Sequence, residues 1–133
     1  MAPSNGKNEP IVYVNGEFVR AGEARISVFD HVVLYGDGVY DTMCAWNHRV
    51  FKLDEHVDRL FDSAKAIALD IPVSREKIAK DVVRTCKANG ITDGYVRLVV
   101  TRGVGGLGLN PYLCKEPQIF CIADRIQLYP KKH

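Results

Sequence analysis

Two segments near the middle of this 133-residue chain carry apolar residues at helical spacing, and strand-like sequence lies on both sides of them. Residues three and four positions apart share one face of an α-helix, so each segment predicts a helix with one face to bury. The apolar faces are formed by Val57, Leu60, Phe61, Ala64, Ile67 and Ala68 in the first helix, and by Ile78, Val82, Val83 and Cys86 in the second.

Capping residues set the predicted limits of these helices. Asp54 is the expected N-cap of the first helix, and Ile71-Pro72-Val73 interrupts the helical pattern. Ser74 is the expected N-cap of the second helix. Gly90 supplies the left-handed residue with which that helix ends.

The flanking segments predict antiparallel strands. Asn15-Gly16 is suited to the tight turn of a hairpin between residues 11–14 and 17–19. Asn47-His48 joins a second candidate hairpin, 39–46 with 49–53, and the further strands are predicted at residues 95–101 and 118–123. Helices grouped between strands predict an α+β fold, a two-layer sandwich of mainly antiparallel strands with two helices.

A chain of this length forms one domain with one core. We expect residues 1–10, which are polar and precede the first predicted hairpin, to be a flexible leader. The 18 basic and 16 acidic residues give a net charge of only +2, which argues against nucleic-acid binding. No apolar stretch approaches the ~20 residues that span a bilayer, so we expect a cytoplasmic protein without membrane contact.

Cysteine and histidine spacings give no sign of a metal site or a disulfide framework. No C-x-x-C pair occurs, and the four histidines have no ligand spacing with Cys, Asp or Glu. We expect reduced, mostly buried thiols at Cys44, Cys86, Cys114 and Cys121.

Two arginines stand in unusual positions. Arg59 lies away from the apolar face of the first helix, which predicts an exposed guanidinium. Arg97 stands within an apolar strand, where an unpaired charge is costly, so it needs either a carboxylate such as Asp41 or a cavity.

Two glycine-containing segments could approach a ligand. Tyr35 and Tyr40 flank Gly36 and Gly38, and they are either ordinary strand residues or hydrogen-bonding groups beside a ligand. The G-x-G-x-x-G pattern at 103–108 follows a strand but is not followed by a helical pattern, so a loop between strands is predicted rather than a dinucleotide site.

Four motifs resemble the class IV (fold-type IV) pyridoxal-phosphate aminotransferases, in particular the bacterial and archaeal branched-chain enzymes. They are L-Y-G-D-G-V-Y-D at 34–41, L-D-E-H-V-D-R-L at 53–60, Y-V-R at 95–97 and G-V-G-G-L-G-L-N-P at 103–111. The resemblance covers residues 11–130 and implies the small N-terminal domain of the D-amino acid aminotransferase-like fold.

The resemblance also implies roles for individual residues. It places Arg59 on the cofactor phosphate, with His56 as a neighbour, and it makes Leu109 contact the substrate side chain in the partner of a homodimer. Arg102 stands in a T-R-G context like that of the D-amino acid branch, where an arginine has a similar substrate role. The residues implied at the substrate are Tyr35, Tyr40, Tyr95 and Arg97.

The implied activity is transamination between an amino acid, preferably branched-chain, and a 2-oxo acid, with pyridoxal 5′-phosphate as cofactor. The D-amino acid aminotransferase and aminodeoxychorismate lyase branches share the G-D-G-V-Y text and stay open as alternatives. The family's Schiff-base lysine belongs to a C-terminal domain that we expect to be absent here, since all lysines lie in polar contexts. The chain alone is therefore expected to be inactive, and a non-catalytic anion-binding or dimerisation module is the remaining alternative.

Overall fold

The computed structural model describes residues 9–126, which form a six-stranded antiparallel sheet with helices on one face. The strand order is β2-β1-β6-β5-β3-β4. The strands are β1 (Ile11–Val14), β2 (Glu17–Arg20), β3 (Gly38–Trp46), β4 (Arg49–Val50), β5 (Gly94–Thr101) and β6 (Ile119–Arg125), and the helices are α1 (His31–Tyr35), α2 (Leu53–Ala66) and α3 (Arg75–Ala88).

The core lies between the sheet and the two long helices. Met43, Val96 and Leu98 point from alternate strand positions toward the helices and are fully buried. Leu60 of α2 and Val82 of α3 meet them and are equally buried. Because each such side chain contributes about 1.5–3 kcal/mol when it leaves water, this layer stabilises the two-layer arrangement. The predicted α+β class is thereby confirmed.

Three helices are present in the described residues instead of the two predicted from sequence. The additional helix, α1, is only five residues long, which is too short to show helical periodicity. Asp30 caps it by accepting a hydrogen bond from the Val32 amide at 2.9 Å. Gly36, with φ 66°, ends it in the left-handed conformation.

Both predicted hairpin turns are confirmed. Asn15 and Gly16 have φ 50° and 93°, and Asn47 and His48 have φ 50° and 66°. The second hairpin is shorter than predicted, since β4 ends at Val50 and α2 begins at Leu53.

The helix limits are partly as predicted. Ser74 accepts a hydrogen bond from the Lys77 amide at 3.1 Å, and Gly90 follows α3 with φ 62°. The prediction of Asp54 as the N-cap of α2 is wrong, because Lys52 occupies that position in the left-handed conformation and its side chain makes no capping bond. Asp54 lies in the first turn, where its negative charge favours the helix dipole.

The second face of the sheet is not covered by the long helices. Trp46 is 69% exposed there, and Tyr40 is 63% exposed. We call this surface the open face; the other residues that point to it include Thr42, Cys44, Tyr95, Arg97, Val99, Phe120, Ile122 and Asp124.

Other predictions have mixed outcomes. Cys86 and Cys121 are buried, whereas Cys114 is half-buried and Cys44 is exposed, so the thiols are free but not mostly buried. The predicted leader lies largely outside the described residues. Between residues 9 and 126 no helix is long and apolar enough to cross a membrane.

Candidate active site

A buried carboxylate joins β3 to α2. Asp41 is 4% exposed and points from β3 toward the helices. Its Oδ2 accepts a hydrogen bond from Arg59 Nε at 2.7 Å, and its Oδ1 accepts one from Arg59 Nη2 at 2.8 Å. His56 Nδ1 lies 2.9 Å from Oδ1. One carboxylate therefore fixes two residues of α2 against the sheet.

The ionisation of Asp41 follows from these contacts. Burial favours the neutral acid, but the hydrogen bonds and charges of Arg59 and His56 outweigh it and hold the pKa of this carboxyl below its ordinary value. The charged form is therefore the one that the fold stabilises.

Arg97 faces a cavity, which is the second of the two environments predicted for it from the sequence. Its cross-strand partner is Thr42, the residue after Asp41, so it points to the opposite face of the sheet. Its Nε donates to Thr42 Oγ1 at 3.1 Å, and the guanidinium carbon lies 5.0 Å from the centre of the Tyr40 ring. The suggestion that Asp41 pairs with Arg97 is wrong, because strand alternation separates them.

Arg59 and Arg97 meet at one cleft on the edge of the sheet. β4 pairs with β3 only at Ala45 and Trp46, so the earlier part of β3 has a free edge. The cleft has a volume of about 430 Å³ and is lined by Tyr40, Asp41, Thr42, Arg59, Ser63 and Arg97. Two guanidinium groups beside hydroxyl donors suit a phosphate or a carboxylate.

Arg59 remains accessible at this cleft. Its side chain is 65% exposed, as its position on the helix predicts. Nε and one hydrogen of Nη2 are directed to Asp41, which leaves the remaining guanidinium hydrogens for a ligand.

The other residues implied by the resemblance do not line this cleft. Tyr95 is half-exposed on the open face, two residues before Arg97. Tyr35 ends α1 rather than lying in a strand, and its hydroxyl donates to the Leu107 carbonyl. Leu109 is 75% exposed in the glycine-rich loop. The structure thus brings Tyr40, Arg59 and Arg97 together and places Tyr35 beside the loop.

Arg102 is held by the fold. Its Nε donates to Asp37 Oδ2 at 2.9 Å, and its two terminal nitrogens donate to the carbonyls of Ile67 and Ala68 at 2.6 and 3.0 Å. Its side chain is 10% exposed. The analogy with the D-amino acid branch is not supported here, because this guanidinium closes the end of α2 instead of facing the cleft.

The lysines of the described residues all lie at the surface. None of Lys52, Lys65, Lys77, Lys80, Lys87 and Lys115 is buried. In the same part of the chain no group of three or more His, Cys, Asp or Glu side chains is arranged to hold a metal ion.

Sequence reasoning misses two features of this region. It suggests Asp41 only as a partner of Arg97, because the register of β3 on β5 is not readable from the sequence. It gives no functional role to Asp30 and His31, although an aspartate before a short apolar run is a capping signal.

Comparison with known proteins decides the family. Residues 38–133 match the model of the amino-transferase class IV family. The chain belongs to the class IV aminotransferases. Its curated relatives include a putative branched-chain-amino-acid aminotransferase of Methanocaldococcus jannaschii, 53% identical over 112 residues, a match that covers 84% of this chain and 39% of the relative.

Other branches of the class IV aminotransferases also match. The aminodeoxychorismate lyase of Bacillus subtilis is 31% identical, with 88% of this chain and 41% of the relative covered. A D-alanine aminotransferase of Staphylococcus epidermidis is 35% identical, with 69% and 33% covered.

A solved structure agrees with the fold. The branched-chain amino acid aminotransferase of T.th., complexed with N-(5′-phosphopyridoxyl)-L-glutamate, superposes with a TM-score of 0.84 at 29% identity. The match covers 89% of this chain and 41% of that one. The chain thus spans about 40% of the length of such relatives.

Proposed function

We propose that this chain provides the N-terminal part of an enzyme that transfers an amino group from a branched-chain amino acid to a 2-oxo acid with pyridoxal 5′-phosphate as cofactor. The observation that carries the proposal is the cleft in which Arg59 and Arg97 approach one edge of β3. The 53% identity to the archaeal relative supports the branched-chain substrate.

The residues present fit the cofactor's phosphate. Arg59 offers a planar donor fork that Asp41 holds in place, and it faces outward from α2. Ser63 lies one turn further along α2 and lines the same cleft. We propose that both contact the phosphate. The bound cofactor supplies electron withdrawal from the substrate, which this chain's own residues do not supply.

The substrate carboxylate has its own candidate partners. Arg97 is kept on the open face by Thr42 and by the Tyr40 ring, so its charge is available to an anion. We propose that Arg97, with the hydroxyls of Tyr40 and Tyr95, orients the substrate carboxylate. Direct substrate contact by Tyr35 stays a prediction.

The loop supports a homodimer. Leu107, Leu109, Tyr112 and Leu113 are all more than half exposed, and apolar groups in such a cluster commonly mark an interface. We propose that Leu109 contacts the substrate side chain across that interface. A cytoplasmic location is proposed as well, and the free thiols agree with it.

The lyase branch is a second candidate because the Bacillus subtilis relative covers 88% of this chain. The D-amino acid branch has less support. The arginine that the analogy would use there, Arg102, is occupied by Asp37 and by two carbonyls.

The chain by itself tests one part of the proposal. Incubated with pyridoxal phosphate and reduced with borohydride, it is expected to show no stoichiometric adduct on a single lysine by mass spectrometry, because its described lysines are exposed and hydrated. No turnover of L-leucine is expected either. One fully labelled lysine would contradict the expectation that the catalytic amine lies outside this chain.

Activity is tested after co-expression of the chain with the C-terminal part of the Methanocaldococcus jannaschii relative, which we call the reconstituted enzyme. We expect transamination of L-leucine with 2-oxoglutarate and slower reaction of D-alanine. Arg59→Ala should lower kcat/KM by about 100-fold, since the phosphate loses a bidentate partner. The control, Arg49→Ala, removes an exposed arginine of β4 outside the cleft and should stay within about twofold. Turnover of aminodeoxychorismate alone would favour the lyase branch, and tight phosphate binding without any turnover would favour a binding module.

A further inference from the structure

A buried aspartate and the backbone of α1 hold the start of the glycine-rich loop. Asp30 is fully buried; its Oδ2 accepts from Thr101 Oγ1 at 2.6 Å, and its Oδ1 accepts from the Gly103 amide at 3.3 Å. The His31 amide donates to the Gly103 carbonyl at 3.0 Å. Val104 forms a bridge with Asp30 on one side and with Lys115 on the other.

The side chain of His31 continues this attachment into the loop. The ring is 1% exposed, and its Nε2 lies 2.9 Å from the Gly106 carbonyl oxygen. A carbonyl only accepts, so Nε2 carries the hydrogen in this bond. The ring also meets the Tyr35 ring edge to face, with centres 4.9 Å apart, and the Tyr35 hydroxyl donates to the next loop carbonyl, at Leu107.

The loop approaches the imidazole closely because of a glycine. A Cβ at Gly105 would lie 2.8 Å from His31 Nε2 and would also collide with Cys114 Sγ. The backbone can therefore pass over the ring only where a side chain is missing. A packing role alone would not need the polar contact, since a phenyl ring fills a similar volume.

Two exposed leucines depend on this attachment. Leu107 and Leu109 are 72% and 75% exposed. The hydrogen bonds that reach Gly106 and Leu107 within the described residues come from His31 and Tyr35, next to a bond from the Gly105 amide to the Phe29 carbonyl at 3.3 Å. We propose that His31 is a positioning residue, which holds the glycine-rich loop in the conformation that presents Leu107 and Leu109 to an aliphatic substrate side chain. The part of this inference that concerns substrate rests on the proposed function.

The loop conformation is tested in the full chain without any activity. Backbone ¹⁵N relaxation should give order parameters of about 0.85 at Gly106 and Leu107, as in rigid backbone. In His31→Phe, which keeps the ring but removes the donor, we expect values below about 0.6 at these two amides and no change in β5 or β6. His31→Gln places an amide N–H near the position of Nε2 and should restore rigidity.

Several results would overturn this part of the inference. Low order parameters in the unsubstituted chain would show that the loop is not held, and unchanged values in His31→Phe would show that the ring does not hold it. If His31→Phe does not fold, Tyr35→Phe takes its place: it removes only a hydroxyl from a half-exposed ring and should loosen Leu107 in the same direction. A rigid Leu107 in that variant would also contradict the proposal.

The substrate part is tested in the reconstituted enzyme by comparing L-leucine with L-alanine. A loop that is in the binding conformation for only a fraction of the time weakens apparent affinity by that fraction. His31→Phe should therefore raise KM for leucine about fivefold and leave kcat and the alanine reaction nearly unchanged, with His31→Gln close to the unsubstituted enzyme. A mobile loop with an unchanged leucine-to-alanine preference would refute the link to substrate. An inactive unsubstituted enzyme would instead count against the proposed function and leave the relaxation result standing.

Discussion

At the scale of single residues, the candidate site depends on a carboxylate that would not touch a ligand itself. Asp41 is buried and charged, and both of its oxygens are used by side chains of α2. Removing one partner of such a buried group usually costs more than the bond contributed, because the other partner is left unsatisfied. Asp41 therefore both orients Arg59 and attaches α2 to β3.

Asp41→Asn should lower the free energy of unfolding by about 1–3 kcal/mol, since the neutral amide loses the negative charge beside Arg59 and one of the two acceptor oxygens that Arg59 and His56 contact. The measurement is equilibrium unfolding in urea. Asp62→Asn is the matched control: Asp62 is an exposed residue of the same helix, and its replacement should change stability by less than about 0.5 kcal/mol. Equal effects of the two variants would show that the buried pairing contributes nothing particular.

The sequence predicts some of these residue environments and not others. The exposure of Arg59 follows from its angle on α2, because a helix fixes that angle from spacing alone. The partner of Arg97 does not follow, because the side chains that it meets depend on the register of β5 against β3, which joins residues 55 positions apart. Local geometry is readable, and long-range pairing is not.

At the scale of elements, the two hairpin turns have similar backbone conformations but a different residue at the second turn position. Both turns need positive φ at two consecutive positions, and the first has glycine where the second has histidine. A non-glycine residue in the left-handed region costs about 1 kcal/mol. The β3–β4 turn is therefore strained at His48, and the β1–β2 turn is relaxed at Gly16.

His48→Gly should raise the free energy of unfolding by about 0.5–1 kcal/mol, because the relief of strain exceeds the added entropy of the unfolded chain. Gly16→Ala should lower it by about 1 kcal/mol, since no atom lies within 4 Å of its Cβ position and only the backbone strain at φ 93° is changed. Thermal unfolding of both variants checks that the two substitutions change stability in opposite directions. A stabilised Gly16→Ala would contradict this account of the turns.

Prediction of elements succeeds where a pattern runs over several turns. α2 and α3 follow from apolar periodicity, and Ser74 and Gly90 follow from capping chemistry. α1 is missed because five residues do not complete two turns, and the start of α2 is misplaced because Lys52 adopts a conformation that its type rarely takes. The left-handed conformation of Lys52 gives no signal in the local sequence.

At the scale of the whole molecule, burial of ionisable groups links stability to pH. Burial raises the pKa of the Cys121 thiol from 9.0 to about 12. Burial and the neighbouring Asp81 also raise the pKa of Tyr13. The folded chain therefore keeps both groups neutral at pH values where the unfolded chain ionises. For Cys121 this contribution to stability is complete below pH 9 and is lost as the pH rises toward 12.

Between pH 9 and 12, ionisation of Cys121 in the unfolded chain should lower the free energy of unfolding by on the order of 1 kcal/mol per pH unit. Cys121→Val removes the ionisable group at a similar volume and should flatten this alkaline decline by that amount in urea titrations at a series of pH values. Cys44→Ser replaces an exposed thiol and serves as the matched control. An identical slope in all three proteins would exclude Cys121 as its source.

A tryptophan on the open face allows the covering of that face to be followed by fluorescence. Trp46 is the only tryptophan of the chain, and it lies 69% exposed at one end of that face. Its indole ring is exposed to solvent, so its fluorescence emission responds to whatever covers it. A second protein part that covers the open face would move the fluorescence to shorter wavelength, and the chain therefore reports its own assembly without a label.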